Sequence, residues 1–272
     1  MPVAPELVPE LAPGVARLEW ELGQLGRVVV GFSGGADSAL LAYMSRQVLG
    51  RSQAVCVTAV SASLAPEELA DCAALAREWD IEWQRVTTDE VATEAYARNA
   101  SDRCYHCKAE LMGAIEPIAR SMGAVAVLGV NVDDLSEPRP GQQAASERGA
   151  RFPLVDAGLT KSEVRAISRH FGLRTADKPA AACLASRVPY GTRVTVSVLR
   201  QVAVAESGLK ALGFPSVRVR HYGELARVEL PIEDLPVALE VREAVVTAVR
   251  AGGYRYVTID LEGFRSGNLN RP

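Results

Sequence analysis

Short apolar runs alternate with segments of helical spacing through the first half of the chain. Val28 to Phe32 reads as a buried strand and Ala36 to Val48 as a helix. "AVCVTAV" (54–60) predicts a second strand, and Pro66 to Trp79 a second helix, with its proline suited to the first turn. "IEWQRV" (81–86) predicts a third strand, Arg103 to Ser121 a third helix, and "AVAVLGV" (124–130) a fourth strand. Strands that alternate with helices in this way form a parallel sheet covered on both faces. The expected fold class is therefore α/β, a doubly wound parallel sheet. Such sheets bind ligands beyond the carboxyl ends of their strands. Two segments fall at such ends: "SGGADS" (33–38) after the first strand, and "NVDDLSEPRPGQQ" (131–143) after the fourth.

The pattern then changes. Residues 131–193 are rich in Gly, Pro, Arg and Ser, and only 160–172 shows clear helical spacing, opened by a Thr160/Glu163 capping box. Long irregular stretches inside compact proteins usually serve function. Beyond Gly191 the order is helix (195–212), strand (216–221), strand (225–230), helix (233–250) and strand (254–260). This predicts a smaller C-terminal α+β domain. The expected division is a first domain over 1–190 and a second over 191–272.

Composition narrows the classes of function. Among 272 residues, 48% are hydrophobic and 23% charged, as in ordinary soluble domains. A net charge of −3 argues against a broadly basic nucleic-acid surface. No signal peptide and no membrane-spanning run is read, so a cytoplasmic location is the default expectation. Five cysteines in such a chain do not suggest a disulfide framework. Arginine outnumbers lysine 26 to 4. The four lysines, Lys108, Lys161, Lys178 and Lys210, either fall by chance or mark places that need a compact ammonium.

The turn at 33–38 carries the first chemistry. Two glycines allow tight folding, so that several N–H groups can converge, and the helix that follows presents its positive end. The turn therefore suits an anion such as phosphate. It has neither the Walker pattern nor G-x-G-x-x-G. A plain strand-to-helix turn capped by Ser33 is the competing reading. For Asp37, the bland reading is a favourable acid in a first helical turn.

The full string Ser-Gly-Gly-x-Asp-Ser resembles the PP-loop of the N-type ATP pyrophosphatases, whose fold is of the adenine nucleotide alpha hydrolase type. The resemblance implies that Ser33, Gly34, Gly35, Asp37 and Ser38 bind ATP through its pyrophosphate, with Asp37 helping to hold Mg²⁺. A substrate oxygen attacks the α-phosphorus, pyrophosphate leaves, and an adenylate forms. Charge developing on the leaving group must be neutralised.

Four further segments extend the resemblance: "RCYHCK" (103–108), residues 129–173, "DKPAAACLASRVPYG" (177–191) and "YRYVTIDLEGFRSGNLN" (254–270). Together they are similar to the LarE family, ATP-dependent sulfur transferases of nickel-pincer nucleotide cofactor synthesis. The implied substrate is a small nucleotide, pyridinium-3,5-biscarboxylic acid mononucleotide. One of its carboxylates is adenylated, a sulfur nucleophile displaces AMP, and a thiocarboxylate results. Cys183 matches the cysteine of sulfur delivery. In some members it surrenders its own sulfur and becomes dehydroalanine. In others a C-x-x-C is added, here Cys104 and Cys107, and the three cysteines hold a [4Fe-4S] cluster. A zinc site with His106, or an incidental C-x-x-C at helical spacing, are the competing readings.

The resemblance also implies that Ser186, Arg187, Arg218 and Arg220 hold the substrate phosphate. Arg218 and Arg220 alternate and so share a strand face, which alone would read as a solvated face. Glu206 matches an acidic position that can take a metal, or else faces solvent. Lys108 is expected near the ATP phosphates or the adenylate, and Asn131 and Asp134 near the nucleotide or its Mg²⁺. Cys56 reads as core, Cys72 has no assigned role, and His170 and His221 read as structural. Implied partners are other enzymes of nickel-pincer cofactor synthesis and further copies of the chain. Two other classes remain open at this point: a tRNA thiolase with the same loop, and a nucleotide-sensing module without turnover.

Overall fold

The computed structural model describes residues 8–136, 139–179 and 183–265. Parts of the family-like segments, 137–138, 180–182 and 266–270, lie outside the described residues. The chain divides into two compact units. The first takes Met1–Ser61, Pro66–Glu90 and Cys104–Ala181; the second takes Ala62–Ala65, Val91–Arg103 and Ala182–Pro272.

The first unit holds a parallel sheet of β1 (Val28–Gly31), β2 (Ala54–Val60), β3 (Glu82–Thr87) and β4 (Val125–Leu128), in the order β3-β2-β1-β4. The inner strands are uninterrupted apolar runs because both faces are covered. Val28 and Val30 face a core shared with the helices α1 (Ala12–Leu25) and α2 (Ala36–Leu49), through Leu18, Leu22, Leu40 and Met44. Val29 faces the opposite core with Met112 and Ile115 of the long helix Arg103–Met122. The fold is thus α/β with helices on both faces of a parallel sheet. The chain runs β1, β2, β3 in one direction and returns to place β4 on the other side of β1. That reversal puts the topological switch point at the carboxyl ends of β1 and β4, where a ligand crevice forms in open sheets.

Three elements depart from expectation. The helix Ala12–Leu25 was not anticipated in a proline-rich start; Val15, Leu18 and Leu22 give it a buried stripe. The irregular region 131–193 contains a helix at Pro140–Glu147 besides Lys161–His170. The single helix expected over 233–250 is two, Leu235–Glu240 and Arg242–Ala251. Val241, at φ −100° and ψ 26°, ends the first and opens the second, accepting the N–H of Ala244 while donating to Val237.

The second unit is built on a three-stranded sheet, β5 (Arg218–Tyr222), β6 (Leu225–Glu229) and β7 (Tyr256–Ile259), with β5 antiparallel and β7 parallel to β6. Leu209, Phe214, Val219, Val228, Val245 and Val249 form its core. This small α+β unit carries the helix Val196–Ala211, capped by the Thr195 hydroxyl. Among the described residues no helix is long and apolar enough to cross a membrane.

Candidate active site

The turn after β1 is shaped by short polar contacts. Gly34 adopts φ +70°, and a side-chain carbon there would lie 3.0 Å from the Cys72 Sγ. Gly35 is extended and opens the helix Ala36–Leu49. The Ser38 hydroxyl donates to the Gly35 carbonyl at 3.1 Å and lies 3.0 Å from the Ser33 Oγ; it also accepts from the Ser33 N–H at 3.3 Å. Ser38 is buried. It closes the turn from within, while the loop's backbone and the helix N-terminus supply donors for an anion.

The end of β4 meets this turn directly. A side-chain carbon on Gly129 would stand 2.6 Å from the Ser38 nitrogen and 2.8 Å from the Asp37 carbonyl carbon. Only glycine lets these two backbones approach so closely. The contact sets Asn131 beside Asp37: the Asn131 amide donates to Asp37 Oδ1 at 3.0 Å. Asp37 Oδ2 is ion-paired with Lys161 Nζ. Asn131 and Asp134 form a capping box on the short turn Val132–Leu135, and Arg139 pairs with Asp134 at 2.7 Å. Lys161 opens its helix behind the Thr160/Glu163 capping box, and its N–H donates to Asp133 at 2.8 Å. Asp37, Asn131, Asp134 and Lys161 are therefore one network at the switch point. Both Asp37 oxygens are engaged here, Oδ1 by Asn131 and Oδ2 by Lys161.

A second lysine stands beside the same loop. Lys178 Nζ is 3.7 Å from the place a Gly34 side chain would occupy. It pairs with Asp71 at 2.6 Å and Glu68 at 2.7 Å. Burial pulls this ammonium's pKa down, but the two carboxylates outweigh it and hold the pKa above lysine's usual range. Cys72 is buried under the loop, and burial pushes its thiol up to about 11. Cys56 is buried in β2, in the core position expected of it. Lys108 lies on the helix Arg103–Met122, one residue after Cys107. Gly129 was not singled out by sequence reasoning. Lys161 had a signal, being one of four lysines in an arginine-rich chain.

Cys183, Ser186, Arg187, Glu206, Arg218 and Arg220 lie in the second unit and form a network of their own. Cys183 precedes a short turn, Leu184–Arg187. The Arg187 guanidinium is buried and makes a two-pronged pair with Glu206, at 2.8 and 2.9 Å. It also donates to the Cys183 carbonyl at 3.2 Å and to the Ser186 hydroxyl at 2.9 Å. Arg220 pairs with the buried Glu229 at 2.7 Å and donates to the Ser186 carbonyl at 2.8 Å. Burial lowers the Arg218 pKa, with Arg187 adding to the effect; Glu206 opposes it, Arg220 lowers it further and Glu229 opposes. Arg218 also stacks over Phe264 at 5.0 Å. Two bland expectations are corrected here. Glu206 is 2% exposed, not solvent-facing, because it accepts from Arg187 and from the Val219 N–H. Arg220 is buried, not part of a solvated strand face. Glu229, which counters Arg220 and Arg227, carried no signal in the sequence.

His221 is buried beside Tyr254, its Nδ1 3.2 Å from the phenol oxygen, and burial holds its pKa below the usual histidine range. Cys104, Cys107 and Cys183 are free thiols, Cys104 exposed and the others half-buried. Among the described residues no group of three or more His, Cys, Asp or Glu side chains is placed to hold a metal ion.

Comparisons with known proteins point the same way as the loop. The family described as NAD synthase matches residues 20–115, which span the turn, the first three strands and the start of the C-x-x-C helix. The chain is 40% identical over 261 residues to the pyridinium-3,5-bisthiocarboxylic acid mononucleotide synthase of Lactiplantibacillus plantarum, covering 96% of this chain and 95% of that one. It is 47% identical over 253 residues to an uncharacterized protein of Synechocystis sp., covering 92% and 94%. An uncharacterized protein of Methanocaldococcus jannaschii is 24% identical over 241 residues.

Proposed function

The chain belongs to the LarE family, that of the bisthiocarboxylic acid mononucleotide synthase, and from that premise we propose that it is an ATP-dependent sulfur transferase of nickel-pincer nucleotide synthesis. It adenylates a carboxylate of pyridinium-3,5-biscarboxylic acid mononucleotide and converts it to a thiocarboxylate. The observation that carries the reading is the Asp37–Asn131–Lys161 network beside the glycine turn, at the switch point of a parallel sheet. A carboxylate is a poor acceptor because it is charged and resonance-stabilised, so it must first be activated. The substrate oxygen attacks the α-phosphorus and the P–O bond to pyrophosphate breaks. Ser33, Gly34, Gly35 and Ser38 hold the departing pyrophosphate through backbone and hydroxyl donors. Lys161 adds a compact cation, and Asp37 and Asn131 orient it; Asp134 fixes Asn131. Lys108 serves the adenylate. Mg²⁺ bound at Asp37 would neutralise phosphate charge.

In this reading Ser186, Arg187, Arg218 and Arg220 take the phosphate of the substrate, with Glu206 and Glu229 holding the guanidinium planes in place. Cys183 delivers sulfur. Cys104, Cys107 and Cys183 are proposed as ligands of a [4Fe-4S] cluster, which would supply sulfide from its open iron. In a second reading Cys183 acts alone. There the Cys183 sulfur attacks the acyl-adenylate carbon and AMP leaves. Loss of the Cys183 α-proton and rupture of its Cβ–S bond then leave dehydroalanine in the chain. Homo-oligomeric assembly, a cytoplasmic location and contact with other enzymes of nickel-pincer synthesis belong to the same proposal.

The test is anaerobic purification of the full chain with iron and acid-labile sulfide assays, then pyrophosphate release with ATP and the pyridinium dicarboxylate. Release that requires the dicarboxylate supports the transferase; release without it, or none, overturns it. Roughly four irons per chain and an unchanged chain mass after turnover support the cluster. No iron, with a chain lighter by the elements of H₂S, supports the consumed cysteine.

A further inference from the structure

The turn that follows Cys183 is held by a buried cation that has no part in the network described so far. Arg103 is 5% exposed. Its Nη1 donates to the Ala185 carbonyl at 3.0 Å and to the Asn99 side-chain oxygen. Its guanidinium lies over the Tyr190 ring at 5.7 Å. Among the described residues no carboxylate pairs with it. A buried charge satisfied only by carbonyl dipoles and a ring face is costly, and an apolar side chain would fill the same space at less expense. A strong local use for its donors accounts for its presence.

Asn99 supports the same segment. It is fully buried and sits at φ +57°, a left-handed conformation that asparagine adopts more readily than most residues. Its amide nitrogen reaches the carbonyls of Pro189 at 2.8 Å, Thr192 at 2.9 Å and Val188 at 3.2 Å. Its own backbone carbonyl accepts from Gly191. Together, Asn99 and Arg103 address the chain from Ala185 to Thr192. The Ala185 carbonyl also accepts the Val188 N–H that closes the turn. Arg103 therefore grips the central peptide between Cys183, which delivers sulfur, and Ser186 and Arg187, which take phosphate. The Cys183 carbonyl in turn accepts from Arg187.

We infer that Arg103, braced by Asn99, is a positioning residue that sets the Cys183 turn, so that with saturating dicarboxylate its loss slows sulfur transfer far more than adenylation. This rests on the assignment of Cys183 as the sulfur-delivering residue. Misplacement of a reacting group by about 1 Å costs roughly 100-fold in rate, and the group misplaced here is the Cys183 thiol, which reacts only after the adenylate has formed.

The test uses the full chain with ATP and the pyridinium dicarboxylate, wild type beside R103M and R103K. Pyrophosphate release reports adenylation. Thiocarboxylate yield reports sulfur transfer, and added hydroxylamine traps the adenylate as a hydroxamate. For R103M with saturating dicarboxylate we expect pyrophosphate and hydroxamate close to wild-type levels and thiocarboxylate formation slowed about 100-fold. R103K keeps the buried cation but not the planar fork, and is expected to recover about tenfold of that loss. If R103M does not fold, R103K must still slow thiolation far more than adenylation. Equal loss of both half-reactions, or loss of neither, overturns the inference. A wild-type chain that releases no pyrophosphate with the dicarboxylate instead overturns the functional reading beneath it.

Discussion

In the proposed reading the turn after β1 and the arginine cluster of the second unit both hold an anion, by opposite means. The turn uses backbone. Its glycines, the buried Ser38 and the approach of Gly129 place N–H groups in a rigid array. The cluster uses side chains. Three guanidinium groups, Arg187, Arg218 and Arg220, are drawn into the protein and must be countered by Glu206 and Glu229. A backbone site needs no counter-charge, so its tolerance is set by space. A side-chain site is set by charge balance, because an unpaired buried ion is expensive.

The difference is broken most sharply by substitution at Gly129. G129A places a carbon against the Ser38 and Asp37 backbone, so the loop itself must shift. We expect a loss of about 3 kcal/mol in stability, and pyrophosphate release lower by roughly 100-fold or more. Chemical denaturation and a pyrophosphate assay check both. In the cluster, R187M leaves Glu206 buried without its partner, at a cost of about 3–5 kcal/mol. The double variant R187M/E206L should recover most of that stability while phosphate binding stays lost. Failure of the double variant to recover would show that space, not charge, governs this site too. K161M is expected to slow pyrophosphate release roughly 100-fold with a melting temperature close to wild type, since this ion pair is partly exposed.

The smallest effect concerns pH. Burial lowers the His221 pKa in the folded chain below its unfolded value near 6.5. Above the unfolded value His221 is neutral in both states and its contribution to stability is complete. As pH falls below 6.5, the unfolded chain takes up a proton that the folded chain resists, and stability is lost until the lowered folded value is passed. Melting curves between pH 7.5 and 5.5 should show this slope in the wild type and a shallower one in H221N.

The four strands of the first sheet were legible to within about two residues, because strands covered on both faces are continuous apolar runs. The helix Ala12–Leu25 was not, since prolines around it masked a stripe as short as Val15, Leu18 and Leu22. Nor was the break at Val241, where helical spacing continues although the backbone does not. Asp37 was singled out by its motif, yet its partners Asn131 and Lys161 stand 94 and 124 residues away. Glu206 read equally well as a metal ligand or a surface residue; its burial follows from Arg187, 19 residues earlier.

What the sequence by itself determined was the alternation of strand and helix, the phosphate-suited turn at 33–38 and the cysteines available for sulfur chemistry. These are local properties, written in periodicity and in glycine's freedom at a tight turn. What only the tertiary structure decided was pairing: Gly129 against Ser38, Lys161 on Asp37, Glu206 and Glu229 beneath the arginines, and Arg103 on the Ala185 carbonyl. Burial and charge compensation depend on which distant segments meet, and a chain read in order does not contain that distance.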